Sequence, residues 1–141
     1  MNMMKSLVTG ANGFIGSAVA RCLLDAGHEV RCLVRPGSDR RNLYKLPVEI
    51  SEGDLRSVPS LKRAVTGCDN LFHVAADYRL WVPNPETMYD INVRGTHALI
   101  LAAAEAGMKR MIYTSMVATW GGNQEGTPAN EKTPSRPAPT T

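Results

Sequence analysis

Three glycines stand at intervals of three near the start of the chain, within the stretch LVTGANGFIGSAVA. Gly10, Gly13 and Gly16 lie between a short apolar run and a segment with helical periodicity. Glycines at such a junction permit a tight turn, close approach of the backbone to a pyrophosphate and close packing of the following helix. The unpaired N–H groups and the positive dipole end of that helix would face the phosphates. The spacing therefore predicts a dinucleotide site, which we favour over a purely structural turn.

Charged residues at the ends of the next two predicted strands are candidates for contacts with the rest of such a ligand. Arg35 stands where an acidic residue would accept a hydrogen bond from a ribose 2′-hydroxyl. An arginine can pair with a 2′-phosphate instead, which favours NADP over NAD, with Arg40 or Arg41 as helpers. The alternative is a solvated strand end. Asp54 could accept from the adenine amino group or serve as an ordinary turn residue.

Small residues follow the fourth predicted strand. Val74, Ala75 and Ala76 leave room for a cofactor to lie across the end of that strand. Ordinary core packing explains the same residues, and the two interpretations are compatible.

The elements that must position these residues alternate between strand and helix, which predicts βαβ units and a parallel sheet. We expect a Rossmann-type, doubly wound α/β fold with strand order 3-2-1-4-5 in residues 1–120. The tail, residues 121–141, is rich in Gly, Pro and Thr and is predicted to be disordered. The predicted strands are Lys5–Thr9, Glu29–Arg35, Val48–Asp54, Asn70–Ala76 and Lys109–Met116, and the predicted helices are Phe14–Ala26, Pro59–Val65 and 84–106.

Composition excludes several other classes of protein. A net charge of +3 without a basic cluster argues against a nucleic-acid partner. No apolar run is long enough for a membrane span, and the early glycine turn leaves no room for a signal peptide. Cys22, Cys32 and Cys68 show no paired spacing, so we expect reduced, mostly buried thiols in a cytoplasmic protein.

Five short motifs occur in the order found in one enzyme family: TGANGFIG, GDL, HVAA, NVRGT and YTS. The chain resembles the extended short-chain dehydrogenases/reductases from about Ser6 to Ser135. The stretches VRPGSDRRNL and HVAADYRLW look most like the hopanoid-associated sugar epimerases, which are relatives of dihydroflavonol reductases. With the glycine and strand-end arguments, the expected cofactor contacts are Gly10, Asn12, Gly13, Phe14, Ile15, Gly16, Arg35, Asp54, Leu55, Val74, Ala75 and Ala76.

The same resemblance suggests where a substrate would lie. It implies that Asn92 stands near the active site, although an exposed polar residue on a helix is an equal alternative. It also implies that the stretch Tyr78–Trp81 borders the substrate, although Trp81 could equally pack under a loop.

This chain differs from that family at the positions of the catalytic residues. The family uses a tyrosine and a lysine four residues later, whereas each tyrosine here is followed at that spacing by valine. Met116 stands at the position of the family's catalytic serine, and a thioether cannot donate a hydrogen bond. We therefore expect this chain to be the cofactor-binding portion of an oxidoreductase or nucleotide-sugar epimerase that acts by hydride transfer, and to be inactive alone.

Two alternatives remain: a non-catalytic dinucleotide-binding module and a non-functional truncated remnant. Truncation after the fifth strand would leave a sheet edge uncovered. It would also favour self-association through the apolar 84–106 helix.

Overall fold

The structure is a computed structural model that describes residues 3–120 and 126–135. Within 126–135 the backbone forms a turn in which the Thr133 amide donates to the Asn130 carbonyl at 2.9 Å. The prediction of a disordered tail otherwise falls on 121–125 and 136–141, which lie outside the described residues.

Within the described residues, one sheet of five parallel strands forms the centre of the fold. The strand order is β3-β2-β1-β4-β5, which confirms the predicted Rossmann-type topology. Because all neighbouring strands are parallel, their carboxyl ends lie at one edge of the sheet. The strands are β1 (Lys5–Thr9), β2 (Glu29–Val34), β3 (Glu49–Glu52), β4 (Asn70–His73) and β5 (Arg110–Tyr113).

Four of these strands end earlier than predicted, and after β2 and β4 the backbone turns to other partners. After β2, the Arg35 carbonyl accepts from the Ser38 amide at 3.1 Å and closes a turn. After β4, the amides of Val74 and Ala75 donate to the side-chain hydroxyl of Thr9 on β1 rather than to a backbone carbonyl. The chain therefore departs from the sheet at the same edge where the candidate residues gather.

The described residues form four α-helices. They are α1 (Phe14–Asp25), α2 (Val58–Val65), α3 (Pro85–Tyr89) and α4 (Thr96–Glu105), with short 3₁₀ turns at Arg41–Leu43 and Val117–Thr119. Of these helices, α1 packs on one face of the sheet and α2 and α4 pack on the other. Periodicity had predicted neither 3₁₀ turn.

The predicted long helix over 84–106 is interrupted. Asn84 caps its start, since its side chain accepts from the Glu86 amide at 3.1 Å. Between α3 and α4 the segment Asp90–Gly95 is a π-helix, which we call the π-turn. Widened turns of this type are rare and occur frequently at functional sites.

Alternate residues of the strands fill two separate cores. Leu7, Leu33 and Leu71 point to the face covered by α2 and α4. Val8 and Cys32 point to the opposite face, which α1 covers. A period of two in a parallel sheet covered on both faces produces this division.

The cysteines follow the prediction in two of three cases. Cys32 and Cys68 are buried, and burial raises the pKa of the Cys32 thiol to about 12. Cys22 is exposed because it lies on the outer side of α1.

One edge of the sheet has little cover among the described residues. All four residues of β5 are exposed, and Ile100 and Leu101 on α4 also present apolar surface to solvent. This agrees with the expected edge, whereas self-association through the helix stays a prediction. No helix in residues 3–120 or 126–135 has the length and apolar character that a membrane crossing requires.

Candidate functional site

The turn after β1 lies directly against the end of β4. Gly10 has a φ of +65°, a conformation that L side chains rarely adopt. A Cβ atom at Gly10 would lie 2.8 Å from both the Cα and the amide nitrogen of Ala75. Glycine is therefore required here by the backbone angle and by the neighbouring strand end.

The other two glycines fold the start of α1 over this turn. The Gly13 amide donates to the Gly10 carbonyl at 3.0 Å, and a Cβ at Gly16 would lie 2.0 Å from the same carbonyl oxygen. The close approach predicted for the helix is thus made to the turn rather than to the sheet. No side chain could occupy the Gly16 position without moving backbone atoms.

The amino end of α1 has no side-chain partner for its amides. Its N-cap, Gly13, makes no side-chain hydrogen bond, and the first turn contains no acidic residue. The first amides of a helix lack partners within the helix, and the helix dipole favours an anion there. The side chains of Phe14 and Ile15 are 91% and 55% exposed, so they flank this helix end without covering it.

Asn12 connects the glycine turn to the loop after β2. Its side-chain amide donates to the backbone carbonyl of Asp39 at 2.9 Å. The backbone carbonyl of Asn12 accepts from the side-chain amide of Asn42 at 2.8 Å. The predicted contact between Asn12 and a cofactor stays a prediction. What the structure adds is that Asn12 holds two sides of the same crevice together.

An aspartate–arginine pair with one intervening residue follows each of β2, β3 and β4. In each pair the backbone amide and the guanidinium of the arginine donate to the aspartate two residues before it. These hydrogen bonds are the main cause that lowers the pKa of each carboxyl group. The pairs are Asp39–Arg41, Asp54–Arg56 and Asp77–Arg79.

Arg35 differs from the arginines around it. Arg41 pairs with Asp39, and Arg40 pairs with Glu52. The Arg35 guanidinium, by contrast, is exposed and has no hydrogen bond or ion pair within the described part of the chain. After the larger effect of Arg56, its positive charge also contributes to the lowered pKa of Asp54. An uncommitted cation thus lies at the mouth of the crevice.

The remaining predicted contacts are placed differently from one another. Val74 is half-buried against the α1 core, Ala75 is half-buried against the opposite core, and Ala76 is exposed. Leu55 is 8% exposed and belongs to the core beneath α2 and α4. A Cβ at Gly95 in the π-turn would lie 2.8 Å from the Leu55 Cβ, so Leu55 packs tightly against that turn.

A buried polar network that the sequence analysis missed joins β1, β4 and α4. The Nδ1 atom of His73 lies 2.6 Å from the Thr9 hydroxyl, and its Nε2 atom lies 2.8 Å from the Thr96 hydroxyl. The Thr9 oxygen also accepts from the amides of Val74 and Ala75, at 3.1 Å each. A histidine in an apolar strand run was the available signal, because a buried imidazole requires hydrogen-bond partners.

Asn92 contacts the loop after β4 through the backbone of Asp77, and its predicted place near an active site stays a prediction. Its Oδ1 accepts from the Asp77 amide at 2.8 Å, and its Nδ2 donates to the Asp77 carbonyl at 2.6 Å. The side chain is half-buried, so the alternative of a freely exposed polar residue is wrong. Asn92 holds in place the loop that leaves β4.

The stretch after β4 and the segment after β5 are open to solvent. Tyr78 and Trp81 are 79% and 78% exposed, so the alternative in which Trp81 packs under a loop is wrong. Met116 is 57% exposed, and the Ser115 hydroxyl lies 3.4 Å from the Thr119 hydroxyl. A border with a substrate stays a prediction for both segments.

The glycine turn, the uncapped helix end and the unpaired Arg35 together fit a phosphate-bearing dinucleotide. The fit rests on a close packing of backbone atoms that any Cβ at Gly10 or Gly16 would disrupt.

Comparison with known proteins gives a consistent result. The chain is 44% identical over 124 residues to a protein of Synechocystis sp. that is provisionally named a dihydroflavonol 4-reductase, covering 88% of this chain and 36% of that protein. Among solved structures, gox2253 is 53% identical with a TM-score of 0.87, covering 96% of this chain and 41% of that one.

A third comparison includes a bound cofactor. The UDP-glucose 4-epimerase of Thermus thermophilus, solved in complex with NAD, is 30% identical with a TM-score of 0.82, covering 95% of this chain and 45% of that one. The chain thus spans less than half the length of these relatives. The sequence model of one family, described as the NAD dependent epimerase/dehydratase family, matches residues 6–141. The chain belongs to the NAD dependent epimerase/dehydratase family.

Proposed function

We propose that this chain forms the dinucleotide-binding portion of an oxidoreductase or nucleotide-sugar epimerase. The observation that carries the proposal is the close backbone packing of Gly10 against Gly16 and Ala75, beside the start of α1, whose N-cap makes no side-chain hydrogen bond. The backbone amides at the start of α1 would bind the pyrophosphate, and the Val74–Ala75 segment would form the wall opposite. A bound nicotinamide cofactor supplies a hydride acceptor or donor, and the chain supplies its binding and orientation.

We further propose that the cofactor is NADP rather than NAD. Arg35 is the support for this assignment, because its guanidinium is exposed while Arg40 and Arg41 are paired with carboxylates. A guanidinium without an internal partner can bind a 2′-phosphate through two parallel hydrogen bonds. In each Asp–Arg pair after β2, β3 and β4, the arginine offsets the negative charge of its aspartate. The pairs therefore repel an anionic ligand less than unpaired aspartates would.

A second candidate is a dinucleotide-binding module without catalysis. One sequence feature favours this candidate, because no tyrosine is followed by a lysine four residues later. Valine stands at that spacing after Tyr44, Tyr78, Tyr89 and Tyr113. The two candidates share the binding step and differ in turnover. Both candidates use the dinucleotide site described above.

Titration of the purified chain with NADP⁺ and NAD⁺ by isothermal calorimetry tests the proposal. We expect saturable one-to-one binding, with NADP⁺ bound more tightly. Absence of heat with either cofactor, together with an unchanged melting temperature, would overturn the binding function. Tighter binding of NAD⁺ would overturn only the choice of cofactor.

A further inference from the structure

The Thr9 hydroxyl has only one direction in which its proton can point. Its oxygen accepts from the amides of Val74 and Ala75, both at 3.1 Å, and these amides can only donate. A hydroxyl has two lone pairs and one proton, so the proton is left for the third neighbour. That neighbour is Nδ1 of His73, at 2.6 Å.

The tautomer of His73 follows from this assignment. Because Nδ1 accepts the Thr9 proton, the ring proton of a neutral imidazole must be on Nε2. Nε2 lies 2.8 Å from the Thr96 hydroxyl and donates to it. Each hydrogen-bonding atom of the ring therefore has a partner in the described structure.

The surroundings of the ring keep it neutral. His73 is 2% exposed, and its neighbours are Thr9 from β1, Thr96 from α4 and the ring of Tyr113 from β5, whose centroid is 5.3 Å away. No carboxylate, ammonium or guanidinium group is among these neighbours. Burial lowers the pKa of His73 to about 4.

The network ends at the wall of the crevice. Val74 and Ala75 are the residues that leave β4, and the backbone of Ala75 is the surface against which Gly10 turns. If the Thr9 proton had no acceptor, the hydroxyl could rotate away, and the two amides would lose their fixed partner. A buried amide without a partner is unfavourable, so the wall would move to recover one.

We propose that His73 is a positioning residue for the cofactor, because through the Thr9 hydroxyl it fixes the Val74–Ala75 wall of the crevice. This inference rests on the proposed dinucleotide function. His73 does not touch the cofactor in this proposal, since it lies beneath the wall in the interior.

Two variants of the same shape separate the hydrogen bond from the packing of the ring. In His73→Asn the amide oxygen can occupy the position of Nδ1 and accept from Thr9. In His73→Leu the side chain has the same branched shape but no acceptor. We expect His73→Leu to bind NADP⁺ about tenfold more weakly, which corresponds to the loss of roughly one hydrogen bond. We expect His73→Asn to stay within about threefold of the unaltered chain.

The readouts are calorimetric titration with NADP⁺ and the ¹H–¹⁵N resonances of the Val74 and Ala75 amides. These resonances should shift in His73→Leu and stay near their original positions in His73→Asn. Val65→Ala serves as a control, because Val65 is 2% exposed at the far end of α2. That control should lower the melting temperature without changing affinity, which shows that lost stability alone does not weaken binding.

The outcomes are distinguishable. If the unaltered chain binds neither cofactor, the proposed function fails and this inference fails with it. If the unaltered chain binds but His73→Leu binds equally well, only the positioning role fails. Equal losses in both variants would assign the effect to ring packing and overturn the proposal. Should His73→Leu not fold, the imidazole ¹⁵N spectrum of the unaltered chain decides, since a proton on Nδ1 at pH 7 would contradict the assignment.

Discussion

Gly16 stands over the carbonyl group of Gly10 so closely that a Cβ atom would lie 2.0 Å from the oxygen and 2.5 Å from the carbon. The neighbours are backbone atoms, which cannot move aside as a flexible side chain could. The first turn of α1 and the turn after β1 are therefore one rigid unit. The geometry of the proposed phosphate site depends on this contact.

Gly16→Ala should destabilise the chain by about 3 kcal/mol or more and abolish cofactor binding, because the helix must move off the turn. Gly27→Ala is the matched control at the other end of α1. Gly27 has a φ of +82°, and a Cβ atom there would have no neighbouring atom within 4 Å. Only backbone strain of about 1 kcal/mol is therefore expected. Urea unfolding measures both, and similar losses in the two variants would contradict the close contact.

Asn92→Ala should lower the free energy of unfolding by about 2 kcal/mol, since two hydrogen bonds to the Asp77 backbone are lost. Asn92→Asp keeps one acceptor oxygen but places the other against the Asp77 carbonyl oxygen, so a loss at least as large is expected. Chemical denaturation at pH 7 provides the measurement. A value for Asn92→Ala equal to that of the unaltered chain would show that the loop does not depend on this side chain.

Arg35→Ala should weaken NADP⁺ binding by about tenfold or more and change NAD⁺ binding by less than about threefold. The reason is that only NADP⁺ carries the 2′-phosphate that the free guanidinium would bind. Arg63→Ala, an exposed arginine on α2, is the control for a general loss of positive charge. Equal effects of Arg35→Ala on both cofactors would remove the argument for NADP.

Stability should fall as the pH drops from about 6.5 to about 4, because His73 is neutral in the fold and protonates more readily when unfolded. The pKa of His73 is lowered, so its contribution is present above the unfolded pKa and is lost below it. The expected loss between pH 7.5 and pH 5 is about 2 kcal/mol.

The same pH series on His73→Asn checks that prediction, because asparagine does not titrate. The variant should lose much less stability between pH 7.5 and pH 5. Below pH 4 the paired carboxylates Asp54 and Asp77, whose pKa values are lowered chiefly by Arg56 and Arg79, add a separate loss in both proteins. An identical slope in the two proteins above pH 5 would assign the titration to other groups.

The purified 141-residue chain should show no NADPH oxidation with ketone or sugar substrates. A tyrosine with a lysine four residues later is missing from the sequence, and a positioned general acid contributes about 10²–10⁴ in rate. Absorbance of the reduced nicotinamide is the measurement. Steady turnover would refute the expectation, whereas binding without turnover agrees with it.

The sequence predicted the parts of this structure that depend on local patterns. Alternation of strand and helix indicated the β3-β2-β1-β4-β5 sheet, since crossover handedness leaves few other arrangements. Gly10 and Gly16 could be recognised because their spacing reflects a steric requirement of one short turn. Both features are encoded within a few residues of where they act.

The parts that could not be predicted depend on residues distant in the chain. Thr9 and His73 are 64 residues apart, and only the register of β1 with β4 places them opposite each other. The π-turn likewise lies in close contact with a residue distant in the chain, since a Cβ at Gly95 would lie 2.8 Å from the Leu55 Cβ. Helical periodicity predicted a regular helix there, and no local residue contradicted it.

The π-turn makes the number of residues between two anchoring points a strict requirement. Asn92 reaches the Asp77 backbone and Thr96 reaches His73 from a helix with one widened turn between α3 and α4. Removing one residue between Asn92 and Thr96 would convert the widened turn into an ordinary α-helical turn and change the angle between the two anchors. A chain shortened by this residue could keep the hydrogen bonds from Asn92 to Asp77 or the hydrogen bond between Thr96 and His73, but not both.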